Sequence, residues 1–184
     1  MAGADAAENA SGQHGLDPQM VERVSALRAR LHSVFAQVTM AMMSVPRYRH
    51  HTIAELQHLV LEPMIRDRVA VAAPPHKEGA LEPPMAGVAF WAKVSPEVDG
   101  KIREQIKAGA FPVRLKAEEW DCGDIAWLLD VIAPTKKQAT SVLANFHQVV
   151  KDGKLYIHPA VRGLVESELL NKAGVEAPAP ATVN

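Results

Sequence analysis

The segment "DIAWLLDVIAP" at residues 124–134 constrains the fold most, because an apolar run of this length has to be covered on both faces. Asp130 is the only polar residue of 125–132, and the run ends at Pro134. Short apolar runs bounded by turn residues are typical of central strands. The run therefore predicts a buried strand. One face would carry Ile125, Trp127, Leu129 and Val131, and the other Ala126, Leu128, Asp130 and Ile132.

Helical and strand patterns alternate along the rest of the chain. Two strands, separated by a Pro-rich loop, are predicted to form a hairpin, and this favours a mixed α/β sheet with helices on its faces, in a single domain. Helices are predicted at 18–45, 52–64, 96–109, 135–153 and 160–172, and the second of them begins with a capping box at Thr52. Besides the Asp130 strand, strands are predicted at 68–73, 87–94 and 154–159.

Composition sets the boundaries of that domain. Residues 1–17 are small and polar and predict a disordered leader. The domain is predicted to span 18–172, and the Ala- and Pro-rich residues 173–184 predict a disordered tail.

The net charge is close to zero. Basic residues number 20 and acidic residues 21, so no overall basic field favours nucleic acid or an anionic membrane. The single cysteine, Cys122, cannot form an intrachain disulfide and does not indicate zinc, which fits a soluble protein of the cytoplasm.

The first helix is amphipathic at its start and apolar nearly all round in its second half. Such a helix is buried on more than one side, either in the core or against a second copy of the chain, so a homodimer is one of two interpretations.

Asp130 is the most informative residue for function. An unpaired carboxylate inside an apolar strand costs on the order of several kcal/mol, so it has to be neutral, paired or directed into a cleft. An aspartate that only binds a basic side chain and one that takes part in chemistry are about equally compatible with this pattern.

The cluster "RYRHH" at 47–51 precedes the helix start at Thr52. The helix dipole disfavours a protonated imidazole there, so a neutral histidine can act as a base, although His50 and His51 can equally be exposed loop residues. His58, one turn into that helix, is predicted to lie at the surface or as a satisfied core residue. The sequence identifies no partner for His76, His147 or His158.

Lys136 and Lys137 follow the Asp130 strand at the start of a predicted helix. Free amide donors and two ammonium groups suit a phosphate, although the glycines of a nucleotide-binding loop are missing and an exposed basic helix start is the simpler interpretation.

Four segments together resemble the toxin-activating lysine-acyltransferases, the hemolysin-activating family that modifies RTX protoxins. The most specific one combines Trp120, the Gly123-Asp124 turn, Trp127 and "LLDVIAP" in one order, and the resemblance covers roughly residues 40 to 150. The segments are "SVPRYRH", "HLVLEPMIRDR", "GVAFWAKVS" and "LKAEEWDCGDIAWLLDVIAP".

The resemblance implies a twisted mixed sheet similar to the GNAT acetyltransferases, with the acyl donor inserted between splayed strands. It implies no permanently bound cofactor. Acyl carrier protein, through its phosphopantetheine thioester, would supply a fatty acyl group for internal lysines of an RTX-type protoxin. The family pairs a histidine with an aspartate, and the aspartate falls on Asp130.

The histidine position of the family holds Tyr48 here, and His50 is the nearest imidazole. Either His50 has taken the role or Tyr48 occupies the site and the chemistry is altered, since a phenol is a poor base near neutrality. We predict His50 as general base and Asp130 as the group that orients it. Lys136 and Lys137 would bind the phosphopantetheine phosphate. Arg49 would dock the acidic carrier protein.

Two other functions fit the same residues. A family member that has lost catalysis would serve as a binding or scaffold protein, and a GNAT-like enzyme would use acyl-CoA and a small amine.

Overall fold

The computed structural model describes residues 17–72, 87–133, 135–149 and 155–164. The predicted tail, nearly all of the predicted leader, the hairpin loop and the second half of the last predicted helix lie outside these residues. Within them, no helix is both long enough and apolar enough to cross a membrane.

A four-stranded sheet forms the centre of the molecule, with strand order β1-β2-β3-β4. The strands are β1 (Val69–Ala72), β2 (Gly87–Val94), β3 (Ile125–Ile132) and β4 (Leu155–Ile157). The pairs β1/β2 and β2/β3 are antiparallel, and β3/β4 is parallel. The predicted mixed sheet is therefore confirmed, and the architecture is consistent with a GNAT-like α+β fold.

Five α-helices flank the sheet in the described residues. They are α1 (Pro18–Ser44), α2 (Glu62–Ile65), α3 (Pro96–Lys107), α4 (Lys136–Val149) and α5 (Pro159–Arg162). The start signals act as predicted, since the side chain of Asp17 accepts from Gln19 N at 3.0 Å and that of Ser95 from Val98 N at 3.3 Å. Gly109, with φ of 71°, ends the α3 turn.

The helix predicted from Thr52 is less regular than its apolar spacing suggests. A 3₁₀ turn over Ile53–Glu55 leads into a π-helical turn over Gln57–Leu61 and only then into α2. The capping box itself is present, because the Thr52 N–H donates to Glu55 Oε2 at 2.8 Å.

A β-bulge changes the faces of β3. Phe90 pairs with Asp130 and Trp91 pairs with Leu128, so Leu129 is an extra residue in β3. The side chains of Leu129 and Asp130 therefore lie on the same face of the sheet. Periodicity alone could not show this.

The predicted alternation is consequently wrong beyond Leu129. Val131 packs with Leu128 in the cluster under α4, whereas Ile132 packs with α1. Asp130 lies on the face of Leu129 and Ile132, not on that of Leu128.

The core divides between the two faces of the sheet. One cluster is formed with α4, through Ala139, Val142, Leu143 and Phe146. Two clusters cover the opposite face, one with Val98 and Ile102 of α3 and one with Val38 and Met42 of α1. The Asp130 strand is thus buried on both faces, as its apolar sequence predicts.

Among the described residues, helix α1 is packed on one side only. In its second half Val38 and Met42 are buried, but Met40 and Met43 are 67% and 77% exposed. Its first half is exposed throughout, including the apolar Met20, Val21, Val24 and Leu27. As far as the described residues go, burial of this helix in the core on more than one side is therefore wrong, and burial against a second copy stays a prediction.

Candidate active site

The turn that follows α1 directs two side chains at β3. Pro46 cannot continue the helix, and Val45 adopts an extended conformation that starts a 3₁₀ turn over Pro46–Tyr48. Tyr48 is buried and Arg47 is half-buried, whereas Arg49 and His50, immediately after, are exposed. One turn of backbone therefore separates the residues that reach the sheet from those that face solvent.

Asp130 is the acceptor on which this turn converges. Its Oδ2 accepts a hydrogen bond from the Tyr48 hydroxyl, and its Oδ1 accepts from Arg47 Nη2 and from Val131 N, each at 2.8 Å. The same Arg47 Nη2 also donates to the Val131 carbonyl at 2.8 Å. The residue is 4% exposed, so a buried carboxylate is held here by a cation and a phenol.

The protonation states follow from burial and charge. Burial raises the pKa of Asp130, and the Arg47 guanidinium and the donated hydrogen bonds oppose that rise. Burial, and then the charge of Asp130, raise the pKa of Tyr48 well above its ordinary value. Tyr48 is therefore a protonated donor, and Asp130 a carboxylate that binds a proton more readily than an exposed one.

Tyr48, and not His50, is the residue that the structure places against Asp130. The hydrogen bonds to this carboxylate among the described residues all come from Tyr48, Arg47 and Val131. The ring centroid of His51 is 5.5 Å from that of Tyr48. A catalytic role for His50 stays a prediction.

Lys136 and Lys137 are exposed at the start of α4, where the Thr135 side chain accepts from Gln138 N at 3.3 Å. They follow β3 in the chain and so share its carboxyl end with Asp130. Their role, and that of the exposed Arg49, also stay predictions.

Sequence reasoning missed three residues around this site. Arg47 belongs to the "RYRHH" cluster, but the sequence alone indicates no role for it. Phe111, from the segment after α3, has its ring centroid 6.4 Å from that of Tyr48 and 5.6 Å from Arg47 Cζ. His158 is 5% exposed and packs on Phe111. The sequence signal for His158 is its position in "LYIHP", because strand alternation places it on the face opposite Leu155 and Ile157.

A cleft of about 810 Å³ lies apart from this cluster. Leu59, Val113 and Leu115 contribute apolar surface to it, and Glu55 lines it as well. Since the carboxylate of Glu55 also accepts from Thr52 N and lies 3.4 Å from His51 Nδ1, the histidine segment runs between the cleft and the Asp130 cluster.

The four-stranded mixed sheet flanked by helices is consistent with the GNAT-like α+β fold, and it holds a buried aspartate that is bound by side chains from the turn after α1. Residues 28–174 match the RTX toxin acyltransferase family, and the chain belongs to that family. The class of activity is thus acyl transfer in RTX toxin activation. A comparison with curated proteins finds no match.

Proposed function

We propose that this protein transfers a fatty acyl group from an acyl-carrier-protein thioester to lysine ε-amines of an RTX-type protoxin. The family match over 28–174 carries the proposal, because that stretch includes the whole Asp130 cluster. The acceptor and the donor are the parts of the proposal that go beyond the family's name.

The reaction needs a proton acceptor. A lysine ammonium has to lose one proton before its nitrogen attacks the thioester carbonyl, and the nitrogen loses a second proton before the amide forms. His50 is one acceptor, exposed at the rim of the site.

Tyr48 and Asp130 supply a second route, and the observed contact favours it. Tyr48 Oη would take the proton from the nitrogen while its own proton passes to Asp130 Oδ2. Burial raises the pKa of Asp130 and so makes it a better proton acceptor than an exposed carboxylate.

The carrier protein would approach the carboxyl end of β3. Lys136 and Lys137 are exposed there and suit the phosphopantetheine phosphate, and the exposed Arg49 suits the acidic surface of a carrier protein. A Lys136→Glu, Lys137→Glu double variant should raise KM for the carrier with little change in kcat or Tm. An unchanged KM would remove both lysines from the site.

Direct transfer is the test of the whole proposal. The purified protein is incubated with acyl carrier protein carrying an isotope-labelled acyl chain and with an RTX protoxin, and peptides are analysed by mass spectrometry. Label on lysines is the expected result. Replacing the carrier by the same acyl-CoA separates a carrier-dependent enzyme from one that uses CoA, and label on neither substrate contradicts the proposal.

One observation favours a second function. Asp130 is bound by a phenol where the family pattern has an imidazole. A protein that binds acyl carrier protein or protoxin without transferring the acyl group would serve as a scaffold. The same experiment identifies it, since the labelled carrier would then co-purify with the protein while the lysines remain unlabelled.

The exposed stripe on α1 supports a homodimer. Met20, Val21, Val24 and Leu27 continue the apolar side that packs on the sheet at Val38. We propose that a second copy covers them. A Val24→Glu, Leu27→Glu variant should sediment as a monomer under conditions in which the wild type sediments as a dimer, and a wild-type monomer contradicts this.

A further inference from the structure

His158 lies on the face of the sheet that carries Asp130. Leu155 and Ile157 of β4 belong to the cluster under α4, so the residue after Ile157 points to the opposite face. Tyr156 confirms this alternation, because its ring stacks on Trp127 with centroids 5.2 Å apart on the α3 side.

His158 also occupies the point where two parallel strands separate. In the part of the chain that the structure describes, β3 and β4 pair over three residues, up to Leu128 and Ile157, and β3 continues to Ile132. The backbone N–H of His158 donates to the Leu128 carbonyl at 2.9 Å, which places this residue next to the start of the bulge at Leu129 and Asp130.

The tautomer of His158 is fixed by its neighbour. Nδ1 accepts from the Ala160 N–H at 3.1 Å, so the proton of the neutral ring is on Nε2. Burial lowers the pKa of this imidazole and keeps it neutral. Nε2 is buried and has no hydrogen-bond partner among the described residues. A buried donor without a partner is costly, and a ligand that accepts its hydrogen bond accounts for its retention.

One aromatic ring joins this donor to the Asp130 cluster. The centroid of Phe111 is 5.4 Å from that of His158 and 6.4 Å from that of Tyr48. Phe111 is only partly buried, so its displacement by an entering acyl group would open the space between the two.

We propose that the Nε2–H of His158 donates a hydrogen bond to the carbonyl oxygen of the acyl thioester. This inference rests on the proposed function. The lysine nitrogen attacks the carbonyl carbon, and the carbonyl π electrons move to the oxygen, which becomes the oxyanion that Nε2–H stabilises. The C–S bond then breaks, the thiolate leaves and takes up a proton, and the nitrogen, having lost its proton, remains as the amide. A neutral imidazole suits this role because it donates without giving up its proton.

Two variants separate this role from the cap that His158 provides for α5. The amide oxygen of His158→Asn can accept from Ala160 N–H as Nδ1 does, but nothing replaces Nε2–H. The amide of His158→Gln reaches the Nε2 position and donates there, but no longer caps the helix.

The expected result is opposite for the two variants. His158→Asn should keep the wild-type Tm and lose about 10²-fold in kcat with little change in KM, because the oxyanion forms only in the transition state. His158→Gln should have a lower Tm and recover at least tenfold of that loss in kcat. Each is measured as acyl transfer to protoxin lysines at a temperature where both are folded.

Two outcomes would overturn the inference. If His158→Asn transfers at the wild-type rate, or if kcat follows Tm in both variants, His158 is structural only and the proposed function stands. If the wild type itself transfers no acyl group, the proposed function fails, and the role of His158 fails with it.

Discussion

Tyr48 donates its phenolic hydrogen bond to Asp130, a residue 82 positions later in the chain, on a strand buried on both faces. Arg47, the preceding residue, binds the other carboxylate oxygen. The turn after α1 is thereby fixed to the centre of the sheet. The contact makes the site a buried ion pair with a phenol.

Removing the cation should destabilise the fold. In Arg47→Leu the carboxylate of Asp130 stays buried without its positive partner, and breaking such a pair costs about 3 kcal/mol. Urea unfolding measures the loss. The matched control is Arg49→Leu, an exposed arginine two residues away, expected within about 0.5 kcal/mol of wild type. Equal losses in the two variants would refute a stabilising role for the pair.

His158 should make stability depend on pH. Because burial lowers the pKa of its imidazole in the folded protein, the unfolded chain binds a proton first as pH falls below about 6.5. Its contribution is fully present above that pH and is lost on acidification towards the depressed pKa. The free energy of unfolding of His158→Asn, relative to wild type, should therefore rise from pH 7.5 to 5. A difference that is constant over this range would contradict the prediction.

Gly123 should not accept a side chain. A Cβ there would lie 2.5 Å from the Val94 carbonyl oxygen, which is backbone and cannot move aside cheaply. Gly123→Ala is expected to cost about 1 to 3 kcal/mol in urea unfolding.

The control for Gly123 is Gly100→Ala in α3, where a Cβ meets nothing within 4 Å. Alanine is the better helix former, so this variant should gain about 0.5 to 1 kcal/mol. A loss at Gly100, or none at Gly123, would contradict the packing described here.

The proton route can be read from two variants. Tyr48→Phe removes the hydroxyl that contacts Asp130 and should lower acyl transfer about 10²-fold, more than His50→Ala does. The expected order rests on the contact of Tyr48 with the carboxylate. The reverse order, with His50→Ala the more damaging, would establish His50 as the base.

The sheet and its helices could be predicted from local signals, because apolar runs, caps and Gly109 act over a few residues. The site could be predicted only in part. Asp130 was conspicuous as a charge in an apolar strand. The face of the sheet on which Asp130 lies could not be predicted, because the bulge at Leu129 depends on the register with β2. The exposed start of α1 is a tertiary fact that no spacing encodes. The contact of Tyr48 with Asp130 is one of the two alternatives that the resemblance leaves open, and only the fold decides between them.

His158 shows the same limit. The sequence places it beside Pro159 after a short strand, but only the parallel pairing with β3 brings it next to the bulge. That Nε2 has no hydrogen-bond partner among the described residues follows from the fold and not from the sequence.

Lysine acylation by Asp130→Asn tests the central claim most directly. Asparagine can keep a hydrogen bond from Arg47 or Tyr48 but cannot accept the transferred proton, so transfer to the protoxin should fall about 10²-fold or more while the protein stays folded. Asp124→Asn, an exposed carboxylate in the preceding turn, is the control and should transfer normally. If Asp130→Asn acylates lysines at the wild-type rate, the Asp130 cluster is not the active site.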